Sequence, residues 1–310
     1  MPHSIVTAGQ TQDIAIDAWR IESATTDEQG ALAAAYQLGY RTALLLATGG
    51  VFLIADFSSW ALAYQVMAML MGVGIITALV VAEPDPDSKQ LAAMVSPTDD
   101  FARWLQEAVV NPFADFFVRN GKNALLVLTF IGIYRISDSV LGVMANPFYL
   151  QLGLTLTEIG VYGKFFGYAA VLIGAVGGGI AVARFGLAGP LVFGAVILAL
   201  TNLCFSLLAA VGANVPLFVA TIMADNIAQG FSGTVFIAYL SGLTNVSYTA
   251  TQYALFTSLM VLPGKLISSL SGFVVENVGW VAFFAYAAVM GLPAIWLATR
   301  VNTWFAQEKR

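Results

Sequence analysis

Eight apolar runs of about twenty residues, each long enough to cross a hydrocarbon core of about 30 Å as a helix, decide what this chain can fold into. They cover Ala31 to Ile54, Trp60 to Ala82, Asn123 to Met144, Glu158 to Ala181, Pro190 to Val211, Leu217 to Leu240, Thr251 to Val274 and Trp280 to Thr299. A ninth segment, Ile5 to Trp19, holds too many polar residues to insert by itself and counts as a partial span. Barrel strands alternate polar and apolar over about ten residues, whereas these runs stay apolar for about twenty, so helices are expected. With 59% apolar and only 10% charged residues among 310, the chain exceeds what a soluble surface can present. The fold class is therefore all-α and polytopic in a membrane.

Charge between the runs sets orientation. Arg20, Lys89, Arg103, Arg119, Lys122, Arg184, Arg300, Lys309 and Arg310 fall in connections that share one side, and the opposite connections carry no Lys or Arg. The positive-inside rule places that side, with the C-terminus, in the cytoplasm. The net charge of -5 does not alter this, because acidic residues weigh little in topology. No basic tract points to nucleic acid.

Several chemistries lack their residues. Cys204 is the sole cysteine and His3 the sole histidine, so neither a disulfide framework, a Cys/His metal site nor a Cys-His nucleophile pair can be assembled. No HExxH, GxSxG or GxxxxGK[ST] pattern occurs, which removes the usual motifs of intramembrane hydrolysis and of an ATP engine. No enzyme activity, cofactor or metal is expected.

The chain divides at a long polar connection that opens on Pro84-Asp85-Pro86-Asp87 and turns at Asn111-Pro112. Residues 1–83 form a first block, 84–121 a cytoplasmic linker, 122–300 a six-span second block, and 301–310 a cytoplasmic tail. Within the linker, Phe101, Trp104, Leu105, Ala108 and Val109 recur at near-helical spacing and predict an amphipathic surface helix over Asp100 to Phe117.

An ionised side chain at mid-bilayer costs about 2.5 to 3.5 kcal/mol or more, so it defaults to a cavity or a partner. Arg41, Arg135, Asp138, Asp225 and Lys265 come to mid-depth at about 1.5 Å per helical residue, with Lys164 nearer the outer surface. Five spans contribute these six, which predicts one central chamber. The pairs Gln37/Arg41, Arg135/Asp138 and Asp225/Gln229 are spaced to share helix faces. Mutual neutralisation explains Arg135 and Asp138 as readily as transport does, whereas Arg41 and Lys265 have no acidic neighbour at helical spacing. Four bases against two acids leave +2, a charge that suits an anionic solute. Tyr40, Tyr134, Phe165, Phe166, Tyr168 and Phe231 flank these charges and suit either a sugar-sized pocket or plain packing. Gly163, Gly167, Gly174 and Gly178 form a small-residue stripe for close helix approach, and Pro263 marks a bend.

Asp13 and Asp17 lie four apart in Thr11-Gln12-Asp13-Ile14-Ala15-Ile16-Asp17-Ala18-Trp19-Arg20. That segment, with Leu38-Gly39-Tyr40-Arg41, resembles the fourth and fifth helices of the AmpG muropeptide permeases of the major facilitator superfamily. Tyr134-Arg135-Ile136-Ser137-Asp138, Glu158-Ile159-Gly160-Val161-Tyr162-Gly163-Lys164 and Ala250-Thr251-Gln252-Tyr253-Ala254-Leu255 are similar to that family's helices 7, 8 and 11. Gly179-Ile180-Ala181-Val182-Ala183-Arg184-Phe185-Gly186 resembles a degenerate form of the superfamily's loop motif between helices 8 and 9. The family has twelve core helices and this chain starts within the fourth, so an N-terminally truncated bundle is expected, eight full spans plus one partial.

The resemblance implies a monomeric, proton-gradient-driven importer of anionic anhydromuropeptides, glycopeptides of cell-wall turnover, in a bacterial inner membrane. It makes Asp13, Asp17, Asp138 and Asp225 candidates for proton coupling, and Arg41, Arg135, Lys164, Gln229 and Lys265 candidates for substrate binding. Alternatives are a related facilitator for another anionic or sugar-bearing solute, such as an acyl-CoA or nucleotide-linked compound, and a non-transporting truncated membrane protein.

Overall fold

The computed structural model describes residues 2–23, 25, 28–82, 106–155 and 158–308, and every regular element among them is helical. The first block contains α1 (Pro2–Glu22), α2 (Gln29–Leu45), α3 (Val51–Phe57) and α4 (Trp60–Val80). A π-helical turn, Leu46–Gly50, joins α2 to α3. The linker holds α5 (Asn111–Asn120), and after it come α6 (Ala124–Ile133), α7 (Ile136–Gln151), a π-helix over Ile159–Phe166, and α8 (Gly167–Phe185). The chain continues through α9 (Ala188–Val211), α10 (Val215–Leu243), α11 (Thr249–Ser268), α12 (Ser271–Val289) and α13 (Leu292–Glu308).

Local chemistry sets these boundaries. Ser59 caps α4 by accepting from the Leu62 N–H at 3.2 Å, and Asn214 caps α10 by accepting from Leu217 at 2.9 Å. Thr155 and Glu158 make a reciprocal cap before the π-helix, and before α2 Thr25 donates both its N–H and its hydroxyl to the Glu28 carboxylate. Gly121 (φ 51°) turns the chain between α5 and α6, and Gly279 (φ 75°) divides the sequence assigned to α12, conformations that L side chains rarely adopt.

Each of the eight expected runs coincides with helix, but the helices are less uniform than the runs. Five stretches among the described residues are long and apolar enough to cross a membrane: Trp60–Val80, Asn111–Gln151, Gly167–Phe185, Ala188–Val211 and Ser271–Val301. The run Asn123 to Met144 is interrupted at Tyr134 and Arg135, between α6 and α7. The run Thr251 to Val274 is interrupted at Ser269 and Leu270, between α11 and α12. A charged or polar run leaves periodicity intact while the backbone hydrogen-bond ladder shifts, which is why hydropathy alone does not reveal such breaks.

Packing divides the second block into three levels. At the linker end, Phe116, Phe130, Tyr134, Phe236, Tyr239 and Phe256 form one apolar cluster, in which Tyr134 stacks on Phe236 with ring centroids 4.1 Å apart. At the opposite end, Phe148, Tyr149, Phe205, Phe218 and Phe284 form another. Between them lies a buried polar layer of Ser137, Thr201, Asn202 and Asp225.

The glycine stripe packs α8 on α10 inside this block. A Cβ at Gly174 would strike the Ile227 carbonyl, one at Gly178 would lie 2.7 Å from the Phe231 carbonyl, and Gly167 sits beneath Asn226. Contact between the two blocks uses other small residues: a Cβ at Gly30 would meet Val182 at 2.7 Å, and one at Gly179 would meet Ala34 at 2.9 Å. Apolar tails cannot drive helices together within lipid, so close backbone approach supplies the contact.

The linker helix expected over Asp100 to Phe117 is present in its C-terminal part, as a π-helical turn over Gln106–Val110 running into α5. Phe101, Trp104 and Leu105 lie outside the described residues. α5 turns Pro112, Phe116 and Asn120 inward and leaves Phe117 and Val118 exposed, an amphipathic arrangement.

Candidate functional site

A cavity of about 630 Å³ lies where the first block meets the second. α2 contributes Arg41, Leu44 and Leu45; α7 contributes Asn146 and Tyr149; the π-helix and α8 contribute Gly163, Gly167 and Tyr168; α10 contributes Ile222, Asp225, Asn226 and Gln229. All these residues lie in the half of the bundle away from the linker. Two of the contributing segments are π-helical or adjoin a π-turn, and such irregularities recur at functional sites because they rotate side chains off the ordinary helical face.

Among the described residues, Arg41 is the only cation lining this cavity, and its buried Nε has no hydrogen-bond partner. Asp225, 5% exposed, is the only acid in the wall among the described residues, and both of its oxygens are engaged. Thr201 Oγ1 donates to one at 3.2 Å and Gln229 Nε2 to the other at 2.7 Å. The guanidinium thus lines the space incompletely satisfied, while the carboxylate is held within the wall.

Arg135 donates to Asp138 at 2.7 Å across the break between α6 and α7. Their charges reach both Arg41 and Asp225, although neither residue lines the cavity. Below Asp225 the polar layer continues: Asn202 Nδ2 donates to Ser137 Oγ, and Ser137 Oγ donates to the Ala287 carbonyl at 2.8 Å. Mid-helix amides and hydroxyls satisfied in this way fix the relative rotation of α7, α9 and α12 around the site.

The structure brings Arg41, Asp225 and Gln229 of the expected set into one wall and places Arg135 and Asp138 within electrostatic range. Three others stand apart. Lys265 is exposed on α11 and absent from the cavity lining, Asp13 is exposed on α1, and Asp17 is buried at the linker end, 3.5 Å from Arg20. The Lys164 side chain lies outside the described residues. Of the six aromatics flanking the charges, only Tyr168 lines the cavity, where its hydroxyl meets that of Thr42 at 2.9 Å. Tyr134 is core, Tyr40 and Phe165 are exposed, and Phe231 packs edge-on against Phe193 over a separate apolar groove that also holds Cys204.

Asn146 and Asn226 went unnoticed in the sequence, because an amide is a weaker signal than a charge within an apolar run. Their trace is nonetheless present: Asn226 lies within a run and directly follows Asp225, and Asn146 lies two residues past the end of another. Asn226 Nδ2 donates to the Ile222 carbonyl at 2.9 Å, which orients its Oδ1 as an acceptor.

Comparison with known proteins decides the family. The chain is 31% identical over 295 residues to a transporter of Rickettsia conorii named AmpG 4, an alignment covering 94% of this chain and 69% of that protein. It belongs to the AmpG transporter family. The anhydromuropeptide permease of Escherichia coli is 31% identical over 287 residues, and there the AmpG-family chain described here spans 56% of the relative's length. A third AmpG relative, named AmpG 3, of Rickettsia typhi, is 29% identical over 90% of this chain and 66% of its own. No protein-family model matches the chain. These AmpG relatives are named as transporters and permeases, not enzymes. Family and apolar helices together make this chain a multi-pass membrane protein of transporter type.

Proposed function

We propose that this chain forms the substrate-binding part of a proton-coupled importer of anhydromuropeptides, working as a monomer in a bacterial inner membrane for peptidoglycan recycling. The observation that carries the reading is Arg41, a cation with an unpartnered Nε lining an otherwise almost neutral cavity. A muropeptide offers carboxylates for the guanidinium, and its sugar hydroxyls and amides suit Asn146, Asn226, Gln229 and Tyr168. The cavity volume falls in the range of small-molecule sites, about 300 to 1,000 Å³. The name of the Escherichia coli relative supplies the solute class.

On this reading residues 1–83 belong to one half, 84–121 form a cytoplasmic linker, 122–300 the other half and 301–310 a cytoplasmic tail. Substrate enters from the periplasm and pairs with Arg41, while Arg135 and Lys164 add positive potential nearby and Lys265 acts outside the cavity wall. A carboxylate then takes up and releases the proton as the blocks rock about the site. Asp225 is best placed for that role, since it lines the cavity; Asp138, Asp17 and Asp13 are the other candidates. Exchange of a proton at Asp225 alters its bonds to Thr201 and Gln229, and Gln229 shares the wall with substrate.

The test is uptake of labelled anhydromuropeptide in a strain without its own permease, for this chain and for the chain extended upstream with the first three helices of a relative. Uptake that a protonophore abolishes supports coupling. Uptake indifferent to the protonophore removes it, and no uptake from either form removes the reading itself.

A further inference from the structure

Arg20 is one of the nine basic residues that mark the cytoplasmic side, yet it is 4% exposed and reaches from one block into the other. Its Nη1 donates to Ser241 Oγ on α10 at 3.0 Å and to Gln29 Oε1 on α2 at 3.5 Å. Asp17 lies 3.5 Å from Nη2. The guanidinium sits 5.5 Å from the ring centre of Tyr36 on α2 and 5.4 Å from that of Tyr253 on α11. This one side chain from the first block therefore reaches the second twice, through a hydrogen bond to α10 and a cation–π contact to α11.

Two features distinguish this from ordinary structural burial. Nε and Nη2 are buried without a hydrogen-bond partner, so the charge is held closely but incompletely satisfied. A contact that forfeits part of its desolvation is one that another arrangement can match in energy. The partner face is also rigid. Gln252, beside Tyr253, donates to the Pro112 carbonyl and to Asp115 at 2.9 Å each, and accepts from Arg119 Nη2 at 3.0 Å and from the Asn245 N–H at 2.8 Å. The start of α11 is bolted to α5, so any opening here moves α1 and α2.

The position completes the case. From the linker end upward, the blocks meet at Arg20 with Ser241, at Gly30 with Val182, at Ala34 with Gly179, and at Gln37 beneath Gly233. Beyond Gln37 the cavity begins at Arg41, and the blocks meet again across its wall where the Thr42 and Tyr168 hydroxyls lie 2.9 Å apart. We infer that Arg20 is a positioning residue for transport: bridging α1 to Ser241 and Tyr253, it latches the linker end of the cavity shut, and releasing it opens that end. The inference rests on the carrier reading for its purpose, but its test does not require a substrate.

In a Cys204→Ser background, Ala145→Cys places a thiol in the cavity wall, and a membrane-impermeant maleimide is applied to right-side-out and to inside-out vesicles. With Arg20 present, labelling is expected from the side opposite the linker. Arg20→Ala should raise labelling from the linker side about tenfold and lower it from the other, the effect of losing hydrogen bonds to a charged group. Ser241→Val, which keeps the charge and removes only the cross-block bond, should raise it about threefold. A purely structural role changes protein level or both labelling rates together and does not exchange one side for the other. Unchanged sidedness in Arg20→Ala overturns the latch; if that variant does not insert, unchanged sidedness in Ser241→Val overturns it. A shift in sidedness without any uptake leaves the latch standing and removes only the carrier reading.

Discussion

At the scale of single residues, the cavity wall assigns different work to its two ions. Arg41 lines the space and its buried Nε has no hydrogen-bond partner, whereas Asp225 is closed off by Thr201 and Gln229. Arg41→Gln should raise KM for an anionic substrate by roughly 10- to 100-fold, the loss of a charge-assisted hydrogen bond of about 1.5 to 3 kcal/mol, with little effect on protein level. Initial uptake rates over a range of substrate concentrations, set against immunoblot of the membrane fraction, separate those quantities. Gly174 is a different case, because space rather than charge governs it. Gly174→Ala drives a methyl into the Ile227 carbonyl and should destabilise the α8 and α10 pair by about 1 to 3 kcal/mol, read as a lower melting temperature in detergent. Gly39→Ala, where a Cβ meets nothing within 4 Å, is the matched control and should melt as the parent does.

At the scale of elements, the breaks and caps matter more than the runs. Arg135 occupies a non-helical position (φ -107°, ψ 10°) between α6 and α7, and its pair with Asp138 spans the gap. Removing one member leaves the other ion without its partner near mid-depth, so Asp138→Asn alone should cost more than Arg135→Gln with Asp138→Asn together. A double-mutant cycle on thermal stability reads this directly, and additive losses would show that the pair does nothing jointly. The Thr25–Glu28 turn that leads into α2, here its cap, lies outside the spans and responds to pH. The backbone N–H and the hydroxyl of Thr25 hold the Glu28 carboxyl below its ordinary value, so the cap is complete above that ordinary value and is lost as pH falls through the depressed one. Hydrogen exchange at the first turn of α2 should therefore quicken, beyond its intrinsic pH dependence, on acidification of the parent but not of Glu28→Gln. The run lengths were legible in the sequence because hydropathy records composition; the breaks at Tyr134 and Ser269 were not, because hydropathy averaged over a run does not register a local break in the backbone ladder. The site was legible where it is ionic, at Arg41 and Asp225, and silent where it is neutral, at Asn146 and Asn226. Arg20 misled for the opposite reason: a basic residue counted for topology carries a buried contact between blocks.

At the scale of the whole molecule, orientation links the site to its function. The cavity occupies the half of the bundle away from the linker, and the blocks close upon each other at the linker end, so the linker's side of the membrane determines which compartment the cavity faces. Among described residues, Arg20, Arg119, Lys122, Arg184 and Arg300 lie toward the linker end, while the turns at Gly153 and Gly212, at the other end of α7 and α9, have no Lys or Arg beside them. Such an imbalance is expected to hold the linker in the cytoplasm during insertion. Alkaline phosphatase, which folds to activity only outside the cytoplasm, should be active when fused after Gly153 or Gly212 and inactive when fused after Arg310. A fluorescent protein fused after Arg310 should give the reverse pattern. If instead the phosphatase is active after Arg310, the cavity faces the cytoplasm in this conformation. The Arg20 latch would then close the periplasmic end, and an importer would be caught here after delivering its substrate rather than before binding it.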